Sequence, residues 1–194
     1  MQRTLTDKEK FMKKVIVLVD TREQQNDHII QTLNSMGVQH QSCKLDFGDY
    51  SFLLDGKDFR QSCVIERKGS VDELYGNITQ DLPRIEKELL AAKTLAGGCT
   101  MLIEGVTTEL ELKNYTIPHA QVIHQGRKVQ DIGHIVYPVL QSFKAASRYS
   151  VSPEYTLKEN SAQKILEIFY YYYRGYDKLI APRKDKERSQ KNVK

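Results

Sequence analysis

Two short, mainly apolar runs, Val15-Ile-Val-Leu-Val19 and Thr100-Met-Leu-Ile103, each stop at an acid, Asp20 after the first and Glu104 after the second. Runs of this length without polar alternation read as strands buried on both faces. A strand of that kind needs helices above and below it, and the chain supplies helical patterns. Asn26 or Asp27 can cap a helix whose face is Ile29, Ile30, Leu33 and Met36, with Gly37 as its stop. Ser70-Val-Asp-Glu73 has the capping-box spacing. A further helix, with Pro83 in its first turn, runs to about Lys93 and turns Ile85, Leu89 and Leu90 inward. Residues 135–149 read as a helix with Pro138 in its first turn. Ser161 to Arg174 reads as another, carrying Ala162, Ile165, Leu166, Phe169 and Tyr173 on one face and ended by Gly175.

Between these segments, Val38 to Leu45 looks extended. Phe47-Gly-Asp-Tyr50 is a turn into Ser51-Phe-Leu-Leu54, and Asp55-Gly56 is a hairpin signal. The return strand is expected over Ser62-Cys-Val-Ile65, running into Glu66-Arg67-Lys68-Gly69. Tyr155-Thr-Leu157 reads as a short strand, and residues 107–133, with Pro118 and Gly126, as a loop or insertion. The order of elements predicts an α/β three-layer domain around a mixed sheet.

A chain of 194 residues suits one such domain. No apolar run approaches membrane-spanning length. Residues 1–14 are charged throughout and lack the apolar segment of a signal peptide, so a cytoplasmic location is expected. Cys43, Cys63 and Cys99 are widely spaced, with no CxxC pattern, which argues for buried free thiols rather than a disulfide framework or zinc site. The net charge of +4 is unevenly placed. Six cations and two acids follow Pro182, and the remainder is balanced. That tail reads as disordered and suited to tracking phosphates.

The chemistry-bearing residues fall at strand ends and the turns beside them. In a strand, positions i and i+2 share a face, so Glu66 and Lys68 project together, away from Ile65 and Arg67. The neighbouring hairpin arm starts at Asp49, and pairing of the arms can bring Asp49 to Glu66. Converging carboxylates repel unless a cation lies between them. Oxygen ligands suit Mg²⁺ or Mn²⁺, and a lysine beside the metal can position an attacking water or stabilise transition-state charge. Two carboxylates, a lysine and a metal form a kit for phosphodiester hydrolysis.

The string Gly48-Asp49 … Glu66-Arg67-Lys68-Gly69-Ser70-Val71-Asp72, preceded by Val19-Asp20-Thr21-Arg22-Glu23, resembles the XPF-type structure-specific nuclease domain, a branch of the PD-(D/E)xK superfamily. The resemblance spans roughly residues 14–176. It implies a restriction-endonuclease-like fold and a metal-dependent DNA endonuclease acting at branched or single-strand/double-strand junctions, in DNA repair or recombination. It implies Asp49 and Glu66 as metal ligands, with the Arg67 carbonyl as a third, and Lys68 as the catalytic lysine. Asp20 and Glu23 match acidic positions that help hold metal, and Arg22 and Arg67 would grip phosphates. Asp72 would orient Lys68 or Arg67, or simply favour its helix N-terminus. Relatives dimerise through their C-terminal helices, so a homodimer is expected. The expected layout is an N-terminal lead (1–13), the nuclease domain (14–176) and a basic tail (177–194). The chain shows no helix-hairpin-helix pattern after Gly175, which leaves the preferred DNA shape open.

Outside the motif, Arg127 and Lys128 mark Thr116 to Val129 as a candidate DNA contact or lid. The five histidines, His119 and His124 among them, lack metal-ligand spacing and read as surface or loop residues. Tyr170-Tyr-Tyr-Tyr173 cannot all face one core, because four consecutive helical residues point around the whole axis. Two function classes fit these residues: a nuclease, or a non-catalytic module that keeps the fold to bind DNA or a partner. The intact acidic and lysine positions favour the enzyme.

Overall fold

The computed structural model describes residues 5–96, 98–117 and 122–180. Most of the basic tail and His119 therefore lie outside the described residues. One mixed sheet organises the chain, in the order β2-β1-β3-β5-β6-β9. Its strands are β1 (Ile16–Asp20), β2 (Gln39–Cys43), β3 (Tyr50–Leu54), β5 (Ile65–Lys68), β6 (Cys99–Glu104) and β9 (Val151–Thr156). Strand β3 is antiparallel to both neighbours, and every other pairing along this order is parallel. The carboxyl ends of β1, β5 and β6 thus share one edge of the sheet, where open α/β sheets place their ligands.

Side-chain alternation builds a separate core on each face. On one, Val17, Val19, Tyr50, Phe52, Ile65 and Leu102 pack with α1 (Asp7–Met12), α2 (Asp27–Ser35) and α7 (Ser161–Ile180). On the other, Val64, Met101 and Ile103 pack with α3 (Val71–Gln80), α4 (Leu82–Ala96), α5 (Glu109–Lys113) and α6 (Gly133–Lys144). This is the expected three-layer arrangement.

Several local expectations change. Asp55 and Gly56 both take positive φ (48° and 76°), the paired left-handed geometry of a type I′ turn. The strand it returns is only β4 (Lys57–Asp58), and Ser62–Val64 lie outside any strand. The described parts of segment 107–133 form short elements that periodicity cannot detect. Thr108 caps α5, and β7 (Val122–His124) pairs with β8 (Arg127–Val129) across a Gln125-Gly126 turn. Helix α6 begins at Gly133, so Pro138 lies inside it rather than in its first turn, while Val136, Leu140 and Phe143 keep that helix buried in the core. Helix α7 runs through Gly175 to Ile180. The N-terminal lead contributes α1, whose Phe11 packs edge-on against Phe52 and Tyr170. Cys63 and Cys99 are buried, with thiols pushed up to about 12 by that burial, and Cys43 is half-buried. Among the described residues no helix is long and apolar enough to cross a membrane.

Candidate active site

Strand β5 distributes its charged residues to opposite faces of the sheet. Glu66 and Lys68 project to the α3/α4 side, and Arg67 follows Ile65 to the α2/α7 side. Asp49 directly precedes β3 and is locked to β5 twice. Its N–H donates to the Ile65 carbonyl (2.8 Å), and its Oδ2 accepts from the Arg67 N–H (2.7 Å). Gly48 allows that approach. It has φ +70°, and a Cβ there would stand 2.2 Å from Val64 Cγ1 and 3.0 Å from the Ile65 carbonyl oxygen.

Asp49, Glu66 and Lys68 form one electrostatic group. Lys68 Nζ lies 2.8 Å from Glu66 Oε1. Burial, and then the Glu66 carboxylate, push Asp49 up to about 8, against the pull of the Arg67 N–H. Burial acts to lower Lys68, but the Glu66, Glu73 and Asp49 carboxylates outweigh it and raise its pKa, so the ammonium stays charged. Glu66 also lines a narrow cleft with Phe47, Gly48, Glu88 and Leu89.

Asp20 and Arg22 form a clamp beside this group. Asp20 accepts from the Arg22 N–H (2.8 Å), Arg22 Nε (2.6 Å) and Nη2 (3.2 Å), and the Leu45 N–H (2.6 Å). Burial would raise its pKa, but these donors hold it below the usual carboxylate range. With both oxygens committed, Asp20 anchors Arg22 rather than standing open to a metal. The Arg22 side chain is 60% exposed and feels both Asp49 and Glu88.

On the opposite face, Arg67 is 5% exposed. Its Nη2 donates to Glu23 Oε1 and the Gln25 carbonyl (both 3.0 Å), and its Nη1 donates to Glu104 Oε2 (2.9 Å). Glu104, 0% exposed, also accepts from Ser161 Oγ (2.6 Å) and lies 3.0 Å from His28 Nε2. Arg67 and Glu23 therefore meet each other within the fold, which turns Arg67 away from the phosphate-facing surface and commits Glu23 to an ion pair instead of the metal that the resemblance implied. Asp72 Oδ2 accepts from Tyr115 OH (2.6 Å), tying α3 to the segment after α5 instead of orienting Lys68 or Arg67. Arg127 and Lys128 stand exposed on the β7–β8 hairpin, which touches α3 where Tyr75 OH meets His124 Nδ1 (3.2 Å).

Sequence reasoning gave no role to Glu104, Ser161, His28 or Tyr115. Glu104 did carry a signal: it ends a buried strand with an acid, as Asp20 does. Among the described residues no three His, Cys, Asp or Glu side chains are gathered for a metal. Asp49 and Glu66 are the two carboxylates here that could hold a Mg²⁺, an ion that keeps much of its water.

No curated protein matches the chain. XPF from Aeropyrum pernix matches its structure at TM-score 0.57 and 18% identity, covering 84% of this chain and 68% of that one. The same protein in complex with DNA matches at 0.56 and 18%, covering 82% and 66%. These likenesses show the fold. The sequence profile of the ERCC4 domain matches residues 19–165, well over half of the chain. The chain thus belongs to the ERCC4 domain family, and its fold is that of an XPF-type nuclease domain.

Proposed function

We propose that this chain is a Mg²⁺- or Mn²⁺-dependent endonuclease that hydrolyses phosphodiester bonds in DNA at branched or single-strand/double-strand junctions. One observation carries the reading. Asp49, held high by burial and by Glu66, shares one sheet edge with a charged lysine. Ionising both carboxylates against one lysine is costly, and a hard divalent cation is what would relieve that cost.

Asp49 and Glu66 would hold the metal, which when bound supplies Lewis-acid polarisation and lowers the pKa of its water. Lys68 keeps its proton and offers positive charge to the non-bridging oxygens as the phosphorus centre gains charge. Arg22, fixed by Asp20 and exposed, grips a flanking phosphate. Arg127 and Lys128 extend the DNA track outward on their hairpin. The DNA-bound form of the Aeropyrum pernix protein supports a nucleic-acid substrate. The functional unit takes in α1 and the whole of α7. A homodimer would form through α7, where Tyr171 is exposed while Tyr170 is buried.

The experiment is cleavage of single-stranded, duplex, flap, fork and four-way-junction DNA with Mg²⁺ or Mn²⁺, using wild type, Asp49→Ala and Lys68→Ala. Cleavage by wild type and its loss in both variants is the expected result. If no substrate is cut, the chain is a non-catalytic DNA- or partner-binding module; if the variants cut as well as wild type, Asp49 and Lys68 do not carry the cleavage.

A further inference from the structure

The sheet separates two charged groups that share one strand. Glu66 and Lys68 face the site. Arg67, between them, enters a buried network with Glu23, the Gln25 carbonyl and Glu104. Charges this buried persist only when paired and hydrogen-bonded, because an ion stripped of water is costly. Both oxygens of Glu104 are used, one by Arg67 and the other by Ser161 and His28. Among the described residues the buried Arg67 Nε has no partner, so the two terminal nitrogens fix the guanidinium.

The network joins four elements. Glu104 ends β6, Ser161 opens α7, His28 lies in the first turn of α2, and Arg67 lies in β5. Strand β5 pairs with β6 over four residues and with β3 at Tyr50–Ile65, and Asp49 adds its two hydrogen bonds to this strand. The Arg67 N–H in turn holds Asp49. Rotation of Arg67 would therefore displace Glu66 and Lys68 beside it and the Asp49 carboxylate bonded to its backbone.

We propose that Glu104 is a positioning residue of the cleavage site: acting through Arg67, it fixes β5 so that Asp49, Glu66 and Lys68 keep their mutual geometry. This rests on the endonuclease reading above. Glu104 touches no reacting atom. Its part resembles that of outer-shell partners of metal ligands, whose loss costs about 10–100-fold in activity or metal affinity.

The test compares wild type with Glu104→Gln, Arg67→Lys and the double variant. It uses single-turnover cleavage of a junction DNA with Mn²⁺, together with amide hydrogen exchange. Glutamine keeps the shape and the acceptor but removes the charge, so it is the variant to use where alanine would not fold. We expect Glu104→Gln to lower the cleavage rate about tenfold or more while the KM for DNA stays within about twofold. The double variant should lose no more than the worse single one, because both residues act through one link. Exchange at the β5 amides should accelerate while β1 is unchanged. A purely structural role would lower the folded fraction and the stability but leave the rate of the folded protein intact. A folded Glu104→Gln variant that cuts at the wild-type rate, or additive losses in the double variant, overturns the proposal while leaving the endonuclease reading standing. If wild type cuts nothing, the endonuclease reading fails, and unaltered exchange at β5 in Glu104→Gln would overturn the positioning role as well.

Discussion

The Arg67 backbone N–H donates to Asp49 Oδ2 at 2.7 Å while the Arg67 side chain turns to the far side of the sheet. One residue thus ties the acidic site to a buried ionic network. The Asp49 carboxyl is nevertheless pushed up to about 8, first by burial and then by Glu66. This sets a pH dependence. In the unfolded chain Asp49 titrates near its ordinary value of 3.8. The stability linked to its proton is therefore complete below about pH 4 and is lost as pH rises through about 8, at no more than about 1.4 kcal/mol per pH unit. Asp49→Asn removes the dependence. The variant should gain stability relative to wild type as denaturation is repeated from pH 5 to pH 8. Mn²⁺ at pH 8 should stabilise wild type but not the variant. A variant that is less stable than wild type at pH 8 would count against an uncompensated carboxylate.

Gly48 is required by geometry before any chemistry. Its φ of +70° is strained for other residues, and the contact a Cβ would make includes the Ile65 carbonyl at 3.0 Å, which is backbone within the sheet and cannot swing aside. Gly48→Ala should cost at least about 2 kcal/mol. Urea unfolding of the two proteins reads this directly. A cost below about 0.5 kcal/mol would mean that the turn relaxes freely.

The fold was legible where pattern and period were long enough to speak. Val17, Leu18 and Val19 ahead of Asp20, Met101, Leu102 and Ile103 ahead of Glu104, and the helical residues Ile29, Leu33, Ile165 and Phe169 are buried where the sequence places them, whereas Met36 and Leu90, expected to face inward, are exposed. The grouping of Glu66 with Lys68 followed from strand alternation, and that of Asp49 from its place at the start of the next arm. The destination of Arg67 did not follow. Alternation puts it opposite Glu66, but whether that face is solvent or core depends on α2 and α7, which arrive from distant parts of the chain. The Asp20–Arg22 clamp was hidden for a similar reason, since its fourth donor is the Leu45 N–H, 25 residues away. The short pieces of segment 107–133 fall below the length at which periodicity discriminates. Its turn signal, Gln125-Gly126, is weaker than the Asp55-Gly56 signal that was read.

The Asp72–Tyr115 hydrogen bond assigns Asp72 a tethering role. The phenol is pushed up to about 12, by burial and then by the carboxylate that accepts its proton. Tyr115→Phe removes a hydrogen bond to a charged group and should cost about 1–2 kcal/mol. Asp72→Asn should cost less, because an amide oxygen still accepts from the phenol. Both variants should keep the wild-type response to Mn²⁺. A Tyr115→Phe protein of wild-type stability would remove the tether.

The β7–β8 hairpin tests where DNA lies. Arg127 and Lys128 are exposed, and Ile123, 63% exposed, is the register partner of Lys128. The hairpin borders a cavity of about 760 Å³ lined by Tyr75, Ile78, Ile135 and Val139. Neither cation has an ion-pair partner among the described residues, so replacing both leaves no buried charge behind, and the melting temperature should not change. Each phosphate contact releases roughly 0.9 of a counterion from duplex DNA. If both side chains track the backbone, the slope of log Kd against log salt should fall by about 2 in Arg127→Ala/Lys128→Ala, with affinity weakened to a similar degree on every duplex sequence. Fluorescence anisotropy at four or five salt concentrations measures that slope. An unchanged slope would place the DNA track away from this hairpin and leave the exposed Arg22 as its cation beside the site.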